Sequence, residues 1–209
     1  RELEDVDPMH DRLPENVWPE DPDFKSTSLE VYGALDEVTD KLLAAFGTYL
    51  GEGPEFFPKM VKKGNTILRV IHYPVCDGFD EPGVMRAAAH EDINLMTLLA
   101  PADESGLEIL TREGEWMPVH AIPGQIIVDT GDMMSRITND KIPATTHRVV
   151  NPKGEIKPRY SMPFFVHPHL DVELKVLESC LEEGEEAKYP PINNEEFLME
   201  RLRAIGLAK

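Results

Sequence analysis

The rhythm of apolar positions changes along this chain. Leu29, Tyr32, Leu35, Val38, Leu42, Phe46 and Tyr49 recur at steps of three or four, which lays them on one face of an α-helix. Ser26, Thr27 and Ser28 offer N-caps, Glu30 falls in the first turn, and Gly51 and Gly53 end the pattern. A short second helix is expected within residues 54–63. From Asn65 the runs become brief and β-rich, starting with TILRVIHY at 66–73 and continuing at 95–100, 107–111, 116–119, 125–129, 133–137, 147–150 and 160–166. Turn residues separate them, as in Glu104-Ser105-Gly106, Pro123-Gly124 and Asn139-Asp140. Many short strands at even spacing predict a sandwich or barrel rather than alternating βαβ units.

The two ends read differently. Residues 1–23 carry Pro8, Pro14, Pro19 and Pro22 among acidic residues, an irregular lead-in that Val17 and Trp18 are expected to pin to the body. Beyond Pro168 the chain is expected to turn acidic and helical. Asn193 or Asn194 caps a last helix with Phe197, Leu198, Leu202 and Ile205 on one face, and Gly206 ends it. Three segments follow: 1–64, an acidic lead-in with flanking helices; 65–170, the β core; and 171–209, a helical tail packed on that core.

Composition narrows the partners. The 209 residues include 39 acidic and 21 basic side chains, a formal charge of −18. Long-range repulsion excludes nucleic acid and anionic membrane as partners, while a local basic pocket for a small acid stays compatible with that charge. Two cysteines, Cys76 and Cys180, are too few for a disulfide scaffold and point to a reducing cytoplasm. No apolar run approaches the roughly 20 residues of a membrane helix, and the acidic N-terminus does not read as a signal peptide. Oligomeric state is not legible.

The candidate chemistry starts at His90-Glu91-Asp92, joined later by His147. On a strand, positions i and i+2 share a face, so His90 and Asp92 can converge on one ion and His147 can close the set. Two imidazoles and a carboxylate suit non-haem Fe(II) with open positions. By itself this spacing equally fits a polar turn and a surface histidine. Arg159-Tyr160-Ser161 has the same geometry, and an arginine fork beside a hydroxyl receives a carboxylate; alone it also fits an edge-strand arginine. Tyr73, at the end of the first β-rich run, could supply another hydroxyl. His167-Pro168-His169 is also an H-x-H, read as a solvated loop at a strand exit. His72 reads as a packed strand residue, and His10 and His120 as surface residues. The cysteines read as spectators, and Met96, Met133, Met134 and Met162 as core filler. The acidic run 182–186 reads as a solvated face.

Taken in order, these residues resemble the Fe(II)/2-oxoglutarate-dependent oxygenases, above all the isopenicillin N synthase-like branch. Residues 90–99 (HEDINLMTLL) repeat its H-x-D-x-x-x-x-T-x-L pattern. Gly131-Asp132, Thr138-Asn139 and His147-Arg148-Val149 repeat its G-D…T-N…H-R-V run, and residues 159–165 (RYSMPFF) its R-x-S-x-P-F-F ending. Arg69 through Tyr73-Pro74 is similar to its R-x-x-x-Y-P strand. The resemblance implies a mainly β fold with flanking helices, a double-stranded β-helix or cupin-like jelly roll. It implies Fe(II) held by His90, Asp92 and His147. It places the distal carboxylate of 2-oxoglutarate on Arg159 and Ser161 with Tyr73 beside them, and a position for dioxygen on the metal. The implied reaction is decarboxylation to succinate and carbon dioxide, coupled to oxidation, commonly hydroxylation, of a small-molecule substrate.

Ile71 departs from the pattern, standing where many plant members carry Asn. The chain is short for this branch, so the N-terminal segment that helps frame the substrate pocket is expected to be missing. Arg69, Arg86 and Met134 are candidates for the pocket mouth. Two rival readings remain: an isopenicillin N synthase-like iron oxidase that turns its R-x-S pair on its substrate and uses no 2-oxoglutarate, and a non-catalytic jelly roll that holds a metal or a small acid. Zinc hydrolysis would leave R-x-S unexplained and lacks a general base.

Overall fold

Helix α1 (Pro22–Tyr49) starts earlier than its serine cluster suggests, because Pro22 occupies the first turn and Asp21 accepts a hydrogen bond from the Asp23 N–H. Proline loses nothing there, since an N–H in the first turn has no partner within the helix. A computed structural model describes residues 12–75, 83–102, 104–120, 122–151 and 157–208. His10, Cys76 and the first part of the lead-in lie outside them. Trp18 meets Phe24 edge-on and pins the lead-in, while Val17 points into solvent. Arg12 adds a second tether through ion pairs to Asp171 and Glu195, each at 2.7 Å. Helix α2 (Phe56–Val61) buries Phe57 beside α1.

Eight strands are divided between two antiparallel sheets, and the chain crosses between them repeatedly. The first holds β1 (Ile67–Leu68), β4 (Met96–Leu99), β7 (Ile127–Thr130) and β10 (Pro163–Val166), in the order β1-β10-β4-β7. The second holds β3 (Ala87–His90), β5 (Leu107–Leu110), β6 (Trp116–Pro118) and β8 (His147–Val149), in the order β3-β8-β5-β6. This interleaving is the jelly roll expected from the sequence. Strands β2 (Ile71–Tyr73) and β9 (Arg159–Ser161) pair with each other and prolong the β1–β10 ladder toward one end. No helix among the described residues is long and apolar enough to cross a membrane.

Alternation on the first sheet separates core from site. Leu98 pairs with Phe164 and Met96 with Val166, so all four share one face. All four are fully buried, and Tyr32 of α1 packs edge-on against Phe164 with centroids 4.9 Å apart. The hydrophobic core therefore lies between this sheet and the helices. The opposite face carries Thr97, paired with Asp129 of β7 and with Phe165 of β10, and looks into the jelly roll.

Two stretches differ from the sequence reading. Residues 133–137 are not a strand but belong to helix α3 (Asp132–Ile137), with Met133, Met134 and Ile137 buried. A run this short does not separate period 2 from period 3.6; Gly131 at the N-cap and Asp132 in the first turn carried the helical signal. The stretch after Pro168 is mostly irregular, with two short strands and a 3-10 turn at Glu178–Cys180 before its helix. Leu170, Val172, Leu174 and Val176 alternate with polar residues through β11 (Glu173–Leu174), which pairs with β12 (Ile192–Asn193). Only then does Asn193 cap α4 (Asn194–Ala204), its side chain accepting from the Glu195 and Glu196 N–H groups.

Candidate functional site

His90 and His147 face each other across the β3–β8 ladder, their rings 4.4 Å apart. Asp92 lies just past the end of β3, in the turn toward β4, rather than within a strand as expected. Its Oδ1 still reaches 4.0 Å from His90 Nε2 and 3.9 Å from His147 Nε2. The ligating atoms of the three residues all lie within 4.8 Å of one another. Backbone carbonyls set the tautomers. His90 Nδ1 sits 2.7 Å from the Ala88 carbonyl and His147 Nδ1 3.0 Å from the Thr145 carbonyl. A carbonyl only accepts, so each Nδ1 carries the proton and each Nε2 turns its lone pair toward Asp92.

The backbone around Asp92 is fixed from below by α3. The Asp132 N–H donates to the Asp92 carbonyl at 2.8 Å, and the Met133 N–H to the Ile93 and Asn94 carbonyls. Gly131 allows this approach. A Cβ there would meet the Asp92 and Asn94 carbonyl oxygens at 2.5 Å, closer than carbon and oxygen can pack. Asp132 in turn pairs with Arg201 of α4. These contacts give the G-D motif a structural purpose.

Side chains outside the triad complete the surroundings. Thr97 Oγ1 donates to Asp92 Oδ2 at 2.5 Å and accepts from Asn94 Nδ2 at 2.9 Å. Asp129 Oδ2 lies 3.4 Å from His147 Nδ1. Burial and the nearby Asp92 charge push the Asp129 carboxyl up to about 8. Asn94 and Thr97 stood inside a recognised sequence pattern without a role, and Asp129 carried no signal of its own in the apolar run at 125–129.

The acid-binding candidates also converge. Tyr73 and Arg159 are directly paired on β2 and β9, and the guanidinium lies 5.5 Å from the tyrosine ring centre. Arg159 and Ser161 are buried on the same side of β9 while Tyr160 between them is exposed, as their i, i+2 spacing predicts. Arg159 Nε donates to the Glu104 carbonyl. Ile71 pairs with Ser161, so the departure from the plant pattern falls beside the hydroxyl. His72 and Tyr160 stack at 4.7 Å on the outer side.

Other expectations divide. Met96, Met133 and Met134 are fully buried core, whereas Met162 reaches solvent. Met134 is therefore no candidate for the pocket mouth; Arg69 is exposed just beyond β1. His167 is buried, not in a solvated loop, and burial lowers its imidazole to about 4. Cys180 is buried with its thiol raised by desolvation, which suits a spectator. Within the acidic run, Glu185 accepts from Asn139 Nδ2 and so also ties the tail to the turn after α3.

Comparisons with known proteins agree on one family. The sequence profile of the 2OG-Fe(II) oxygenase superfamily matches residues 64–168. The chain is 34% identical over 189 residues to the 2-oxoglutarate-Fe(II) type oxidoreductase hxnY of Emericella nidulans, an alignment covering 88% of this chain and 54% of that protein. Its fold superposes on a Caulobacter crescentus protein of the 2OG-Fe(II) oxygenase family with a TM-score of 0.90 at 43% identity, covering 98% of this chain and 67% of the other. A full-length Neurospora crassa protein crystallised with alpha-KG and thymine superposes with a TM-score of 0.83 at 31% identity, covering 90% of this chain and 60% of the other. The chain thus spans only about half to two thirds of the length of these proteins.

Proposed function

The chain belongs to the 2OG-Fe(II) oxygenase superfamily, and from that membership and the site geometry we propose that it is the catalytic part of an Fe(II)- and 2-oxoglutarate-dependent dioxygenase. Its second substrate is a small molecule, with hydroxylation as the outcome. The observation that carries this reading is the convergence of His90, Asp92 and His147, with both Nε2 atoms directed at one carboxylate oxygen. Two neutral imidazoles and one carboxylate fit Fe(II) and leave coordination positions for the co-substrate and dioxygen. Bound there, iron supplies the redox chemistry that couples oxidative decarboxylation of 2-oxoglutarate to oxidation of the second substrate.

The protein's own side chains bind and orient. Arg159 stays charged when buried, and with the Ser161 and Tyr73 hydroxyls it receives the distal carboxylate of 2-oxoglutarate. A guanidinium fork fixes the direction of that carboxylate as well as its position. The ladder of β2 and β9 keeps Tyr73 and Arg159 in register, so the acid end is set before the co-substrate arrives. The small-molecule class is supported by the thymine held by the Neurospora crassa relative.

Succinate should form from 2-oxoglutarate only when Fe(II) is added, faster when the second substrate is present. Iron binding without any consumption of 2-oxoglutarate would favour the oxidase that uses no co-substrate. Absence of both iron binding and turnover would end the proposal.

A further inference from the structure

The register of the buried sheet places two polar side chains of its inner face opposite one another. Thr97 of β4 pairs with Asp129 of β7, and both point toward the site rather than the core. Thr97 Oγ1 donates to Asp92 Oδ2 at 2.5 Å, and Asp129 Oδ2 lies 3.4 Å from His147 Nδ1. One cross-strand pair therefore touches two of the three candidate ligands, each on the side away from the other ligands. We propose that Thr97 and Asp129 form a positioning frame: Thr97 fixes the rotation of the Asp92 carboxylate, and Asp129 fixes the ring of His147. This rests on the reading of the triad as a metal site.

The physical case begins with Asp92. A free carboxylate rotates, and an ion can take either oxygen or both. Here Oδ2 is occupied by a hydroxyl donor, which leaves Oδ1 to face His90 Nε2 at 4.0 Å and His147 Nε2 at 3.9 Å. The hydroxyl is itself held, because Asn94 Nδ2 donates to it at 2.9 Å. Its proton is thereby directed away from Asn94 and onto Asp92. Both Asn94 and Thr97 are buried, so water competes little for these bonds.

His147 needs help of a different kind. Its strand, β8, is only half-buried except at Val149, so packing alone holds the ring weakly. The Thr145 carbonyl sets its tautomer, and Asp129 approaches the same Nδ1 from the neighbouring sheet. The Nδ1 proton goes to the Thr145 carbonyl, and a carboxyl oxygen packed against the same edge of a ligating imidazole limits the rotation of the ring. His90 has a carbonyl at Nδ1 and no carboxylate among the described residues within ion-pair distance of that nitrogen. The two histidines are therefore unequal: His147, 13% exposed, is the braced one, and His90, 47% exposed, the looser one.

The test compares isosteric pairs by Mn(II) binding in calorimetry, with Co(II) absorption spectra as a second readout, on chains whose thermal unfolding is checked in parallel. Thr97→Val keeps shape and removes the donor; Thr97→Ser keeps the donor and removes the methyl. Asp129→Leu removes the side-chain oxygens beside Nδ1; Asp129→Asn keeps one. Thr97→Val and Asp129→Leu are expected to weaken Mn(II) binding about 10–100-fold and to alter the Co(II) spectrum. Thr97→Ser and Asp129→Asn should stay within a few-fold of wild type. Wild-type affinity in Thr97→Val and Asp129→Leu overturns the frame while leaving the site reading intact. So does equal loss in Thr97→Ser and Thr97→Val. Failure of the wild-type chain to bind Mn(II), or binding that survives His90→Ala and Asp92→Ala, overturns the site reading and the frame with it.

Discussion

The two sheets of the jelly roll are built from strands of similar length but hold their side chains very differently. In the sheet containing β4 and β10, one face is sealed by α1 and the Tyr32–Phe164 contact, and Met96, Leu98, Phe164 and Val166 have no exposure. In the sheet containing β3 and β8, almost every residue is half-buried or exposed, and Val149 is the one buried hydrophobic among its strands. Its outer side relies on polar pairing instead: Arg148 lies 3.9 Å over the Trp116 ring and pairs with Glu108. The chemistry straddles this difference. Both candidate histidines stand on the loosely packed sheet, while Asp92 and its outer contacts are anchored to the sealed one. Rigidity for the site is thus borrowed across the interior, a division that lets one sheet supply stability and leaves the other near its ligands.

The strongest challenge to that division is at the junction. Asp92→Ala removes the one ligand anchored to the sealed sheet, and metal binding and 2-oxoglutarate consumption should both fall below detection. Retained turnover would show that the histidines alone define the site.

Next in size is a pair of truncations. Phe164→Ala should cost about 3–5 kcal/mol in urea unfolding, because the cavity opens inside the sealed layer. Ile109→Ala, on half-buried β5 and opposite His147, should cost about 1 kcal/mol. Equal costs would remove the contrast between the sheets.

A pH dependence sharpens the same point. His167, buried just past β10, has its imidazole lowered from 6.5 to about 4 by desolvation. Between about pH 6.5 and 4 the unfolded chain binds a proton that the native chain refuses, so stability falls as pH falls through that window. The loss should approach the order of 3 kcal/mol by its lower end. Metal-free chain unfolded by denaturant at several pH values should show this slope, and His167→Gln should flatten it; an unchanged slope would assign it elsewhere.

Arg159→Lys tests the acid-binding end, on the β2–β9 ladder beside the sealed sheet. Losing the planar fork should raise the KM for 2-oxoglutarate about 10–100-fold, as expected for one or two charge-assisted hydrogen bonds. A change in kcat alone would argue against carboxylate binding there. The smallest effect belongs to the open sheet. Glu108→Gln breaks the Arg148 pair at a partly exposed position and should cost less than about 1 kcal/mol, which thermal unfolding can bound.

Period and punctuation in the sequence were enough for α1, α4, the succession of short strands and the i, i+2 placement of Arg159 and Ser161. They were not enough for the histidines and Asp92, which the family pattern rather than their spacing marked as candidates and put in order. What they could not distinguish was the state of residues 133–137, a run too short for its period to show. The short strand β11 after Pro168 was written in the alternation Leu170, Val172, Leu174, Val176 and was hidden by its acidic neighbours. The burial of His167 was not legible, since polarity predicts solvent wherever no contact partner is known.

Sequence by itself determined which residues could bind an ion and an acid, and in what chain order they occur. Tertiary structure alone decided which atoms meet. It brought His90 opposite His147, turned both Nε2 atoms toward Asp92 Oδ1, and set Thr97 against Asp129 behind them. The reason is physical. Residue type and local period act over a few positions of chain, whereas a strand register couples residues far apart, and only the packed sheets fix that register.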